Sequence, residues 1–510
     1  MLLQDVVQTS ATVAVTASRL EKIATLADLV RRIDGEEAAI AIGFLTGSPR
    51  QGKLGVGWAS AAAARETPAA VDATVTLGDV DDVFTRLAAV KGKSSSRERA
   101  RLLEALFTRA TAAEQNFLSG LLVGEVRQGA LEGVLLEAVA KAANVPTPAL
   151  RRAVMMAGDL GTVAARVLGS EGERALEQYR LEIFRPVQPM LADSAPTVAE
   201  ALAEHSPAAI EWKLDGARIQ VHRRDDRVAV YTRNLNDVTA RVPEVVEAVL
   251  ALPARELILD GEVIALGGDE RPLSFQDTMS RFGRRSDVDR LRVERPLRAF
   301  FFDILYHDGE PTLDDPLWSR LDRLDRITPA SLRIPRIATA DGDEGARFQE
   351  DALARGHEGV MVKSLDAPYA AGRRGSTWLK VKTARSLDLV VLAAEWGSGR
   401  RHGWLSNLHL GARDPETGGF VMLGKTFKGM TDEVLAWQTT ELLARQTRRD
   451  RHVVHVRPEL VVEIAFNEVQ RSSQYPGGVA LRFARVKGYR PDKDASAADT
   501  IDAVRAFLPP

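Results

Sequence analysis

Residues 211–223 read EWKLDGARIQVHR, and the fold is decided there. On either side of a Leu-Asp-Gly turn, AIEWKL and ARIQVHRR run with the near-alternation of apolar and polar residues that predicts strands. Lys213 ends the first strand, and Glu211, two residues earlier, falls on the same side of it. Following Ile210 and Trp212, the lysine is expected to be partly desolvated, which disfavours the ammonium and favours a nucleophilic amine. Taken alone, a K-x-D-G lysine is more often a surface residue, paired here with Asp215, so its companions in the chain must decide.

Working outward, RVAVYTR (227–233), ELILDGEVIAL (256–266) and LRAFFFDILY (297–306) predict further strands, with helices over 242–252 and 316–327, a mixture that suits an α+β core over residues 193–385. Upstream, Arg97–Leu106, Ala113–Leu122 and Leu131–Ala143 carry apolar residues at helical spacing, and residues 1–183 read as an all-α region. Pro186 and Pro189 break that period, so 184–192 reads as a linker. Downstream, LDLVVLAAEWG, FVMLGKTF, LVVEIAFNEVQ and LRFARVKGYR predict strands around a helix near Thr431–Arg445; a β-barrel of OB type over 386–510 is the economical fold.

The 510 residues suit three domains at roughly 100–200 residues each. Zero cysteines exclude disulfide scaffolds, thiolate zinc sites, iron–sulfur clusters and cysteine nucleophiles. With 68 basic and 70 acidic residues, a net charge of −2, any nucleic-acid partner must be held by local basic surface. The N-terminus lacks a signal-peptide pattern and no apolar run is long enough for a membrane span, so the expectation is a cytoplasmic protein that meets no membrane.

Several residues have the chemistry for phosphoryl transfer. In WLKVK (378–382), period two puts Lys380 and Lys382 on one strand face, where both amines can reach one phosphate. Glu262 and Glu358 sit among apolar neighbours, where a carboxylate is costly unless it meets a metal, a cation or a sugar hydroxyl. Mg²⁺ (or Mn²⁺) suits carboxylate-plus-phosphate ligation, although an internal salt bridge would also serve. In KGKSSSRERARLLEALF (91–107), Lys91, Lys93, Arg97 and Arg101 surround a helix start, a phosphate-binding arrangement. Further on, Arg127 and Gly129 stand in a glycine-bearing stretch, and the glycine suits close approach to a minor groove.

KLDGAR resembles the KxDGxR nucleotidyl-acceptor motif of the ATP-dependent DNA ligases, within the covalent nucleotidyltransferases, and that family's other motifs follow in order. The resemblance makes Lys213 the residue that accepts AMP from ATP, with Arg218 contacting phosphate and Glu211 reading the base. TRN (232–234) resembles the next motif, with Arg233 at the nucleotide and DNA end; LDGE (259–262) the third, with Glu262 on the ribose and near the metal; FFFDIL (300–305) the following one, with Phe302 stacking on adenine. EGVMVK (358–363) resembles the fourth, with Glu358 near metal and phosphates and Lys363 at the nucleotide, and WLKVK the fifth, with Lys380 and Lys382 at the α-phosphate. In RFARVKGYRPDK (482–493), Arg485 would contact the nucleotide, and Arg490, Asp492 and Lys493 would orient the leaving pyrophosphate.

The stretch 114–145 resembles the DNA-binding domain preceding the catalytic core of the larger members, with VRQG where eukaryotic relatives carry a more apolar run. The resemblance spans about Lys91 to Lys493 and implies a monomer acting on nicked double-stranded DNA in repair, recombination or replication. No segment reads convincingly as a sliding-clamp peptide. An RNA ligase or capping enzyme, and a DNA-binding protein with a degenerate adenylation site, are the rival readings. The helical front argues against capping, the intact Lys213, Glu262, Glu358, Lys380 and Lys382 against degeneracy, and the lack of cysteines against an NAD-dependent ligase.

Overall fold

The computed structural model describes residues 1–508 except 53, 93–94, 125, 127–131, 170, 269–270, 285, 371–373, 383–384 and 399–400, with the backbone alone at 36, 374 and 375. The N-terminal third is helical, from Leu3–Val15 to Leu160–Val167. Helices form where apolar periodicity meets a cap: Thr76 with Asp79, and Thr111 with Glu114, make reciprocal capping boxes at Leu77–Ala89 and Ala112–Val123. Pro146 and Pro148 open Thr147–Ala157, Pro148 in its first turn where a missing N–H costs nothing. No helix among the described residues is long and apolar enough to cross a membrane.

Two five-stranded sheets follow. In the first, the order is Leu191–Ser194, Arg374–Lys382, Gly359–Ser364, Ala208–Lys213, Arg336–Thr339; in the second it is Arg227–Thr232, Ala217–Arg224, Glu256–Ala265, Leu297–His307, Glu310–Pro311. Neighbours are antiparallel except Leu191–Ser194, which runs parallel to Arg374–Lys382. The chain passes from one sheet to the other through Leu214-Asp215-Gly216, directly after Lys213. Gly216 is required by that crossing: a Cβ there would stand 2.2 Å from the Val263 carbonyl oxygen.

The C-terminal region is strand-rich. Its long strand Arg385–Trp396 pairs by its first half with Val461–Phe466 and by its second with Leu405–Arg413 and Val453–Val456. Helix Asp432–Ala444 lies where the sequence places it. LVVEIAFNEVQ and LRFARVKGYR are not single strands. The first divides at Asn467, so that Val461–Phe466 and Glu468–Arg471 pair with different partners; the second divides at Phe483, whose φ is +56°. Leu405–Arg413, Gln446–Asp450 and Val453–Val456 add to the strands expected from the sequence; Gln446–Asp450 is exposed throughout and has no buried side to imprint an alternation.

Proline-rich Phe184–Met190 is not a loose connection. One hydrophobic cluster runs from the helices through Ile183, Val187 and Met190 to Phe302, Tyr369 and Trp378 in the α+β core.

Candidate active site

Gly359 is the register partner of both Lys213 and Lys382, so the two lysines flank the start of one strand. Its φ of +140° and a Val381 carbonyl oxygen 2.2 Å from any Cβ leave room only for glycine. Glu358, just before it, donates its backbone N–H to the Lys213 carbonyl and receives both amines: Lys213 Nζ lies 2.5 Å from Oε2 and Lys382 Nζ 2.7 Å from Oε1. Two ammonium groups thus share one carboxylate.

The electrostatics differ from the expectation for Lys213. Burial pulls its pKa down, but the contact with Glu358 more than offsets this, and the net direction is upward. Lys382 goes down, through burial and then the Lys213 charge. For Glu358 burial works upward, and the two lysines outweigh it and hold its carboxyl below the usual range. The Lys213 amine is therefore held as an ammonium beside a carboxylate.

These groups line a cavity of about 760 Å³ together with Glu211, Arg218, Arg233, Glu262, Phe302, Lys363 and Lys380. Phe302 faces the cavity while Phe301 packs into the second sheet's core. Lys363 is buried and ion-paired with Glu211, its Nζ 4.3 Å from the Phe302 ring centroid and 4.2 Å from that of Trp378. Glu211 Oε1 is buried without a hydrogen-bond partner, beside the Lys363 pair. Glu262, the register partner of Arg218, has its carboxyl pushed up to about 7 by burial. Lys380 Nζ lies 3.4 Å from the Ala192 carbonyl oxygen. Arg218 lines the cavity but is heavily engaged: Asp260 takes Nε and Nη2 at 3.0 and 2.6 Å, and the Met190 carbonyl takes Nη1 at 2.6 Å.

Not every expected residue arrives. Arg485 is exposed on Arg485–Tyr489 and does not line the cavity. Arg490 pairs with Asp492 and Asp388, and Lys493 with Asp388, also away from it. The strand-rich domain contributes Arg482 and Phe483 instead. Neither has a role assigned from sequence, nor has Trp378, although Trp378 stands two residues before Lys380 and therefore on its face.

In the helical region Lys91, Arg97 and Arg101 are exposed at the start of Ser95–Arg109, Arg101 partnered by Glu98 at 2.7 Å. Lys93, Arg127 and Gly129 lie outside the described residues.

Comparison with known proteins follows the same three-part division. Residues 58–140 match the DNA ligase N terminus, 189–382 the ATP dependent DNA ligase domain, and 401–493 the ATP dependent DNA ligase C terminal region. A "Probable DNA ligase" of Anaeromyxobacter sp. (strain Fw109-5) is 58% identical over 509 residues, covering 99% of this chain and 98% of that protein. Another, of Sorangium cellulosum (strain So ce56), is 55% identical over 508 residues, covering 99% and 95%. The solved structure Pmar-Lig_Pre shares the fold at 20% identity, with a TM-score of 0.64 over 95% of this chain and 99% of that one.

Proposed function

The chain belongs to the ATP-dependent DNA ligase family, and from that premise we propose that it seals 5′-phosphate/3′-hydroxyl nicks in duplex DNA through AMP carried on Lys213. One observation carries the reading: the Lys213–Glu358–Lys382 cluster forms the wall of a cavity whose far end is an aromatic slot with an unsatisfied buried acceptor. Adenine fits that slot, its ring against Phe302 and its exocyclic amine donating to Glu211 Oε1.

In the first step Lys213 passes its proton to Glu358, and the freed amine attacks the α-phosphorus of ATP. A P–N bond forms as the nitrogen gives its second proton to solvent, the bond from that phosphorus to the oxygen bridging to the β-phosphate breaks, and pyrophosphate leaves. Lys380 and Lys382 meet the charge that develops on the non-bridging oxygens. Next a 5′-phosphate oxygen of the nick attacks the same phosphorus and the P–N bond breaks, returning lysine. The 3′-hydroxyl then attacks the activated 5′-phosphate, loses its proton, and AMP leaves.

A divalent cation would be held jointly by Glu262, Glu358 and substrate phosphates, and a half-buried carboxyl pushed up to about 7 is one that gains from a nearby cation. When bound, Mg²⁺ or Mn²⁺ supplies neutralisation of phosphate charge.

Residues 1–183, 193–385 and 386–510 serve as the DNA-binding, adenylation and OB-type units around the duplex, Lys91, Arg97 and Arg101 meeting its phosphates. Arg490, Asp492 and Lys493 act on pyrophosphate in a second placement of the C-terminal unit. The enzyme works as a cytoplasmic monomer on chromosomal DNA.

Incubation with α-labelled ATP and Mg²⁺, then denaturation, tests the reading. Label should stay on the wild-type chain, be absent from Lys213→Ala, and be discharged by nicked DNA with sealing of the strand. A wild-type chain that never acquires label overturns it.

A further inference from the structure

Arg218, Gln220 and His222 alternate along Ala217–Arg224 and so share one face, while Ile219 and Val221 pack into the core on the other. Each of the three takes hold of the backbone of the connecting segment. His222 Nδ1 accepts the Phe184 N–H at 2.9 Å. Gln220 takes both polar groups of Val187, Oε1 accepting its N–H at 2.8 Å and Nε2 donating to its carbonyl at 3.2 Å. Arg218 donates to the Met190 carbonyl at 2.6 Å. Contacts at strand positions two apart thus match segment positions three apart.

The ladder is buried and internally closed. Gln220 and His222 are 4% and 0% exposed, and His222 Nε2 meets Gln220 Oε1 at 2.8 Å. The segment's opposite side is tied to the helical region: the Gln188 N–H donates to the Met155 carbonyl at 3.1 Å. At the other end, the Met190 N–H donates to the Tyr369 hydroxyl at 3.0 Å, which donates to Asp260 at 2.7 Å, the carboxylate that grips Arg218. The Arg218 guanidinium lies 5.4 Å from the Phe302 ring centroid and 5.6 Å from that of Trp378.

We infer that Gln220 and His222 are positioning residues for the nucleotide site: they hold Phe184–Met190 as a strap and, through Met190 and Arg218, couple the placement of the helical region to the aromatic slot. Neither touches the cavity. The inference rests on the cavity being the ATP site. Its physical basis is that the rungs satisfy backbone groups that are buried at Val187 and part-buried at Phe184 and Met190, so the strap cannot shift without leaving those groups unpaired. Arg218 then loses its Met190 partner and is held from the Asp260 side alone, and the two rings that it shares with Lys363 are held less firmly.

The full-length chain tests this through Gln220→Leu, His222→Leu and His222→Asn, the last keeping an acceptor where Nδ1 stands. Val30→Ala, a core truncation on helix Arg19–Val30, serves as the stability control. Lys213 labelling is followed against ATP concentration, beside melting temperature. Both Leu variants should raise KM for ATP about tenfold with kcat within about threefold, as expected when a slot is misplaced and the reacting groups are not. His222→Asn should restore KM, and Val30→Ala should melt earlier with KM unchanged. If the Leu variants melt earlier yet keep the wild-type KM, or if Asn fails to restore it, the inference falls. Failure of the underlying site assignment looks different: the wild-type chain itself acquires no label.

Discussion

Arg482 and Asp215 meet across 267 residues of sequence, Nη1 donating to Oδ2 at 2.6 Å. The same nitrogen lies 3.2 Å from Glu468 Oε2, and the guanidinium carbon is 3.6 Å from the Phe275 ring centroid. One arginine of the strand-rich domain thus holds the turn that follows Lys213. Removing it strands Asp215 beside Glu468, two carboxyls already pushed upward, by burial first and then by neighbouring carboxylates. Arg482→Ala should cost on the order of 2 kcal/mol of interdomain stability. A larger radius of gyration by small-angle scattering, with Lys213 labelling retained and nick sealing reduced, is the expected result; unchanged scattering and sealing would remove Arg482 from this role.

Among the described residues, Glu358 is the carboxylate that Lys213 and Lys382 both touch at 2.7 Å or less. In Glu358→Gln the proton acceptor is lost while shape is kept. The labelling rate of Lys213 should fall about 10²–10⁴-fold at neutral pH, the usual worth of a positioned acid–base group. A fall of less than about threefold would show that the proton leaves by another route.

Gly359 sits between Lys213 and Lys382 in register, at φ +140° with a carbonyl oxygen where a Cβ would go. Gly359→Ala must displace the strand that starts there and the glutamate before it. A loss of about 2–3 kcal/mol in denaturant unfolding, accompanied by weaker labelling, is expected. Wild-type stability in this variant would contradict the close approach.

Burial pushes the His222 imidazole down from 6.5 to about 3. The unfolded chain therefore takes up a proton at higher pH than the folded one does. The stability this group provides is complete above pH 6.5 and is lost progressively as pH falls toward 3, at up to about 1.4 kcal/mol per pH unit. Melting temperatures from pH 7.5 to 4.5 should decline less steeply in His222→Asn, which cannot take up that proton. Parallel declines would place the neutral histidine in doubt.

Much of the site is legible in the amino-acid sequence because its residues come in pairs or turns fixed by local geometry. Glu211 with Lys213, and Lys380 with Lys382, stand two apart on strands, so their shared faces follow from the pleat alone. The three-part architecture is legible for a related reason: a change from helical to alternating period marks each transition. The character of the proline-rich joint is not. Prolines announce a break in the helix, but nothing in Phe184–Met190 says that three side chains of a later strand will fasten its backbone.

By itself, the sequence determined which residues carry charge and nucleophilicity, and on which face of each strand they stand, because covalent spacing sets period and order. Only the tertiary structure decided which carboxylate pairs with Lys213, that Arg482 and not Arg490 reaches the cavity, and that Arg218 is tied to Met190 and Asp260. Those choices depend on segments far apart in the chain being desolvated together. The strength and sign of each electrostatic effect come from that shared burial, which no local pattern encodes.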